Sequence, residues 1–208
     1  MFGRLTPTVK YILVINAGIF VLQSLLNLPL SYWLGLRVIF SDQFALHQFI
    51  TYMWIHANFS HLLGNMFAVF VFGPLLEQTF GQKKFLIFYL VCGIGAGMLF
   101  GAANFIEQHQ LKTDTEKYLA NPNPDAFSLY IAEYKSRQFN LQNLAKLADG
   151  YYENPQDLYY RNQTKSAVSQ IFDLKTNIPM VGASGAIYGI LMAFAMLFPN
   201  LELILLFP

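Results

Sequence analysis

No charged side chain occurs between Tyr11 and Leu36, and none between Thr176 and Leu201. A helix needs about 20 consecutive apolar residues to cross a hydrocarbon layer of roughly 30 Å, and both runs are long enough to supply them. Lipid is therefore the solvent for much of this chain. The overall composition agrees: charged residues make up 12% of the 208, against roughly a quarter in soluble domains, aromatics reach 16%, and the mean hydropathy is +0.38. The fold class expected is an all-α polytopic membrane protein.

The few charges are concentrated in one place. Residues 107–175 hold 8 of the 13 Lys and Arg and 9 of the 12 Asp and Glu, so the chain reads as a membrane body with one polar insertion. Three parts follow. Residues 1–106 form the first three transmembrane helices with a long first loop, 107–176 the insertion, and 177–208 a fourth helix and the start of a fifth. The net charge of +1 selects no partner, and there is no basic stripe of the kind that binds nucleic acid. The single Cys92 excludes an intrachain disulfide and reads as a small buried hydrophobe.

Along the chain, the first membrane helix is expected from Tyr11 to about Leu30, too long for the apolar core of a cleavable signal. The loop 31–58 carries Tyr32, Trp33, Phe40, Phe44, Phe49, Tyr52 and Trp54, and these rings suit headgroup depth. Helices over Ser60–Phe80, Phe85–Ile106 and Pro179–Phe198 complete the four, and Leu201–Pro208 begins another apolar segment. Arg4, Lys10, Lys83 and Lys84 lie on one side of this arrangement, which places the N-terminus in the cytoplasm and the insertion outside it.

Gly93, Gly97 and Gly101 recur every four residues and leave one helix face open to close approach. The G-I-G-A-G run lacks the third glycine and the preceding strand of a dinucleotide fingerprint, so no cofactor is expected. In the insertion, Asn121-Pro122-Asn123-Pro124 predicts a turn. A helix follows through Phe127, Ile131, Tyr134, Leu141, Leu144 and Leu147, with Gly150 at its end, and another over 166–174. The lobe carries no assignable motif; it is a structural cap or a surface for membrane or partner.

Polar residues inside membrane helices are costly, and they mark either function or interhelical hydrogen bonds. Ser184 sits in V-G-A-S-G-A-I-Y-G (Val181 to Gly189), a few residues below the surface from which its helix enters. It is a packing notch or a nucleophile. His61 and Asn65, four apart on the second helix, enter from the same side, with His56 just ahead in the loop. Tyr188 shares the face of Ser184 one turn further on.

The two motifs together, His56-x4-His61-x3-Asn65 and Gly182-Ala-Ser184-Gly-x-x-Tyr188, resemble the rhomboid family of intramembrane serine proteases. Glu77 and Gly81 also resemble the family's pattern. The resemblance implies a rhomboid-like helical bundle in a bilayer, multi-pass in a bacterial plasma (inner) membrane, acting on transmembrane protein substrates without a metal. It implies Ser184 as nucleophile, His61 and Asn65 as donors to the oxyanion, and Gly182, His56 and Tyr188 as supporting residues. Chemistry agrees: donors fixed in a low-dielectric site stabilise a tetrahedral oxyanion by a few kcal/mol each.

A serine also needs a base to take its proton, and the resemblance implies a histidine from a later helix. His47 and His109 lie in the first loop and the insertion, and using His61 as base would remove it from the oxyanion. Residues 1–208 are therefore expected to be the first part of a longer protease and to be inactive by themselves. An H-E-x-x-H metal site is absent, and no helix pair carries two aspartates. The alternative reading is a catalytically inactive rhomboid-like protein that binds transmembrane clients.

Overall fold

A computed structural model of the chain describes residues 5–134 and 140–201. The helices are α1 (Pro7–Leu25), α2 (Leu30–Leu34), α3 (Gln48–Thr51), α4 (Phe59–Phe80), α5 (Gln82–Ala120), α6 (Pro124–Tyr134), α7 (Leu141–Glu153), α8 (Leu158–Thr176) and α9 (Ser184–Leu197). Among the described residues there is no strand beyond one antiparallel bridge, Leu36 to Met180. The chain divides into two compact units, one built from residues 5–36, 45–100 and 179–201, the other from 37–44 and 101–178.

In the first unit α1, α4 and α5 are each long and apolar enough to cross a membrane. Most of their apolar side chains face outward, Val14, Leu22, Leu63, Phe67, Val91 and Leu99 among them. Water would penalise such a surface, whereas lipid does not. Inward-facing contacts are made through small residues: Gly73 of α4 lies against Val9 of α1, and Gly185 and Gly189 of α9 lie against Ala96 and Cys92 of α5. Removing a side chain at these points lets two backbones approach and gain dispersion contacts.

One helix end is closed from a distance. The start of α1 has Pro7 in its first turn and no cap from Thr6 to its own backbone. Instead Glu77, 2% exposed on α4, accepts the Thr8 and Val9 backbone N–H groups, both at 2.9 Å, and the Thr6 hydroxyl. A carboxylate suits the positive end of a helix whose first N–H groups lack partners. Just past Glu77, at the C-terminal end of α4, Gly81 adopts φ +77°, where a side chain would be strained.

The structure corrects four sequence expectations here. First, α1 ends at Leu25, because Asn27 turns left-handed at φ 48° and Pro29 follows. Second, α5 continues to Ala120 rather than stopping near Ile106. Hydropathy marks where lipid ends, not where a helix ends, and Lys112–Glu116 and Lys117–Asp114 pairs decorate its polar part. Third, the last apolar helix begins at Ser184, not Pro179, and has 14 residues, about 21 Å at 1.5 Å per residue. It is shorter than a full span, so the expected four spans become three of span length plus this one. The expected fifth segment lies outside the described residues, apart from Leu201.

Fourth, the loop rings do not all sit at an interface. Tyr32 and Trp33 are exposed, but Tyr52 is completely buried beside Met53 and Ile55. Of the glycine row, Gly93 receives Met53 and Gly97 receives Leu36, Phe49 and Tyr52, all from the first loop, whereas Gly101 faces open space.

The second unit packs α6, α7, α8 and residues 101–120 of α5 around Leu111, Tyr118, Phe127, Tyr130, Tyr134, Tyr151, Val168 and Ile171. The predicted turn at 121–124 leads into α6. Gly150 lies inside α7, not at its end; the Tyr160 ring occupies the space a side chain there would need. Asp157 caps α8 through the Tyr159 N–H, so that helix starts earlier than the 166 expected.

Candidate active site

The segment leading to Ser184 is held open by the first loop. Leu36 and Met180 exchange backbone hydrogen bonds of 2.9 and 2.8 Å, and the Gly182 N–H donates to the Tyr52 carbonyl at 2.9 Å. Gly182 takes φ +109°, a conformation that L side chains avoid. Helix α9 then starts, with Ala183 as its cap residue and Ser184 in first position. Ser184 is half-buried and sits among N–H groups that no helical carbonyl reaches.

Opposite this segment stands the first turn of α4. Asn58 caps it by accepting the His61 N–H at 2.9 Å, which fixes where His61 and, one turn on, Asn65 project. A side chain at Gly182 would lie 2.6 Å from the His61 ring and 3.2 Å from Asn65 Nδ2. Both polar groups thus face the backbone two residues before Ser184. Asn65 is 8% exposed, and its Nδ2 has no hydrogen-bond partner. A buried amide donor left unmade costs about 1–3 kcal/mol, and such a donor facing the backbone two residues before a serine is suited to donating to a developing oxyanion.

His56 lies behind His61, ring centroids 5.1 Å apart in an edge contact. It is 1% exposed, neither ring nitrogen has a partner, and its carbonyl accepts from Gln23 of α1 at 3.4 Å. Burial, and then the nearby His61, push its imidazole down to about 4, so it is neutral at physiological pH. Tyr188 stands 74% exposed one turn beyond Ser184. His47 rests on the Trp33 carbonyl at 3.4 Å, and His109 belongs to the second unit, stacked near Phe40 and Phe105.

Two participants escape a reading of sequence alone. Tyr52 touches the serine segment through its backbone, and nothing distinguishes it from the other loop rings. Gln23 carried a signal in being a polar side chain inside the apolar run of α1.

The unit is thus a bundle of lipid-type helices in which an amide and an imidazole face the backbone two residues before a serine. The Rhomboid domain family matches residues 43–108, which include His56, His61, Asn65, Glu77 and Gly81 and end before Ser184. The chain is similar to the mitochondrial RHOMBOID-like protein 6 of Arabidopsis thaliana, 48% identical over 50 residues, 24% of this chain and 16% of that protein. It is also similar to the putative rhomboid protease YdcA of Bacillus subtilis, 34% identical over 99 residues, 45% of this chain and 48% of that one. Rhomboid protease AarA of Providencia stuartii is 35% identical over 69 residues, 32% of this chain and 25% of that one. No solved structure matches. Over these stretches the chain is similar to rhomboid proteins, and its matches span less than half the length of these relatives.

Proposed function

We propose that this chain contributes the nucleophile and oxyanion side of an intramembrane serine endopeptidase that cleaves transmembrane segments of membrane proteins. The observation that carries the reading is the buried, unpartnered Asn65 Nδ2, which with the His61 ring faces Gly182 just ahead of Ser184. In the reaction Ser184 Oγ attacks the scissile carbonyl carbon and yields its proton to a base. The carbonyl oxygen becomes an anion, held by Asn65 Nδ2, His61 and the Ser184 N–H. Collapse of the tetrahedral species expels the amine, which takes the proton, and water then releases the acyl group by the same steps in reverse order.

With His61 donating, the base must be another imidazole, which the whole protein supplies in this reading. The membrane is a bacterial plasma membrane, with the N-terminus cytoplasmic and the insertion 107–176 on the opposite side. Bilayer-embedded proteins are the substrates.

The test uses the whole protein in vesicles with a single-span substrate. Ser184→Ala should abolish cleavage and leave membrane insertion intact; unchanged cleavage rejects the nucleophile assignment. Asn65→Ala should slow cleavage by about tenfold or more, and an unchanged rate reduces Asn65 to packing. A wild-type protein that holds a substrate helix without ever cutting it supports the client-binding alternative.

A further inference from the structure

Tyr52 makes contacts that its place in an aromatic loop does not foretell. It is 0% exposed. Its phenol donates to the Gly93 carbonyl of α5 at 2.7 Å. Its ring edge lies 3.4 Å from where a side chain on Gly97 would begin, and its hydroxyl 3.2 Å from the same point on Gly185 of α9. From the opposite end of the residue, its carbonyl takes the Gly182 N–H. A single residue therefore joins α5, the first loop and both sides of Ser184.

From these contacts we infer that Tyr52 is a positioning residue for the oxyanion site, with its Gly93-anchored ring setting the height at which its carbonyl holds Gly182 against His61 and Asn65. The inference rests on the serine-protease reading above. Gly182 needs such a holder: at φ +109° its conformation is one of several that glycine visits readily, so glycine alone does not select it. The Tyr52 carbonyl selects it by accepting the only N–H Gly182 has. That carbonyl is in turn only as fixed as the short 3₁₀ turn, Tyr52–Trp54, that begins with it. Such a turn has poorer hydrogen-bond geometry than an α-helix, and the phenol anchor on α5 supplies the rigidity it lacks. Burial raises the Tyr52 hydroxyl to about 12, so the anchor stays a neutral donor over the working pH range.

Because Tyr52 does not touch the reacting atoms, its effect must pass through the donors. Tyr52→Phe keeps the ring and removes only the anchor, a bond with a net worth of about 0.5–1.5 kcal/mol, or a factor of roughly two to ten in rate if all of it serves placement. The experiment measures cleavage by the whole protein in vesicles, with functional enzyme counted by saturating Ser184 with a fluorophosphonate. Tyr52→Phe should lower kcat per titrated serine by roughly two- to tenfold with KM nearly unchanged. Combined with Asn65→Ala, it should lose less than the product of the two single effects, because the anchor matters only through the donor it helps to face.

Three results overturn the inference. If titratable sites fall while kcat per site is unchanged, Tyr52 is scaffold alone. If KM rises while kcat holds, it serves substrate binding. If the losses of Tyr52→Phe and Asn65→Ala multiply, the two act independently. Cleavage by Ser184→Ala in the same assay is a different failure, that of the serine reading itself.

Discussion

The most direct probe of the site is Gly182→Ala. An alanine Cβ there would stand 2.6 Å from both Cε1 and Nε2 of His61 and 3.2 Å from Asn65 Nδ2. Ordinary carbon contacts lie near 3.5–4.0 Å, so the imidazole must retreat by about 1 Å. The backbone adds to this, since φ is +109° and an L side chain on that side of the map costs about 1–2 kcal/mol. A misplacement of about 1 Å in a catalytic arrangement costs on the order of a hundredfold in rate. The whole protein carrying Gly182→Ala is therefore expected to cleave a single-span substrate in vesicles at least about a hundredfold more slowly, and to unfold with about 1–2 kcal/mol less stability. Gly64→Ala is the control: it lies in the same turn of α4 with nothing within 4 Å of its added methyl, and removing an interior glycine favours a helix by about 1 kcal/mol. That variant should cleave normally and be no less stable. If Gly182→Ala cleaves within threefold of wild type, His61 and Asn65 do not need their present distance from this backbone, and the oxyanion assignment is wrong.

Three further outcomes follow from other contacts. The His56 imidazole is lowered from 6.5 to about 4 by burial and by His61. Between those values the unfolded chain binds a proton that the folded one does not, so stability should fall as pH drops from about 6.5 toward 4, by about 1.4 kcal/mol per pH unit. Thermal midpoints in detergent at pH 7 and pH 4.5 test this, and His56→Gln should flatten the difference; an equal slope in that variant assigns the proton elsewhere. Glu77→Gln leaves one acceptor oxygen and puts an amide against the N–H groups at the start of α1, so it should cost about 1–3 kcal/mol, read as a lower unfolding midpoint. Gly150→Ala pushes a methyl into the Tyr160 ring and should cost about 1–3 kcal/mol by overpacking, seen as faster amide exchange in α7 and α8; unchanged protection there contradicts the packing described.

The long apolar helices were legible in the sequence because hydropathy acts along the chain: each stretch answers to lipid by its own composition. The relation of His61 to Asn65 was legible for the same local reason, four residues being about one helical turn, and so was the turn at Asn121–Pro124. Where α9 begins was not. Its first residue is decided by Leu36 and Tyr52, which hold the backbone at 180 and 182 outside the helix and so place Ser184 at a helix start rather than within a span. The cap on α1 comes from Glu77 and the closure of Gly93 from Met53, partners supplied from other parts of the chain. Composition and period report what each segment prefers by itself, whereas caps, close contacts and the facing of two polar groups depend on which distant segment arrives beside them, and only the folded structure decides that.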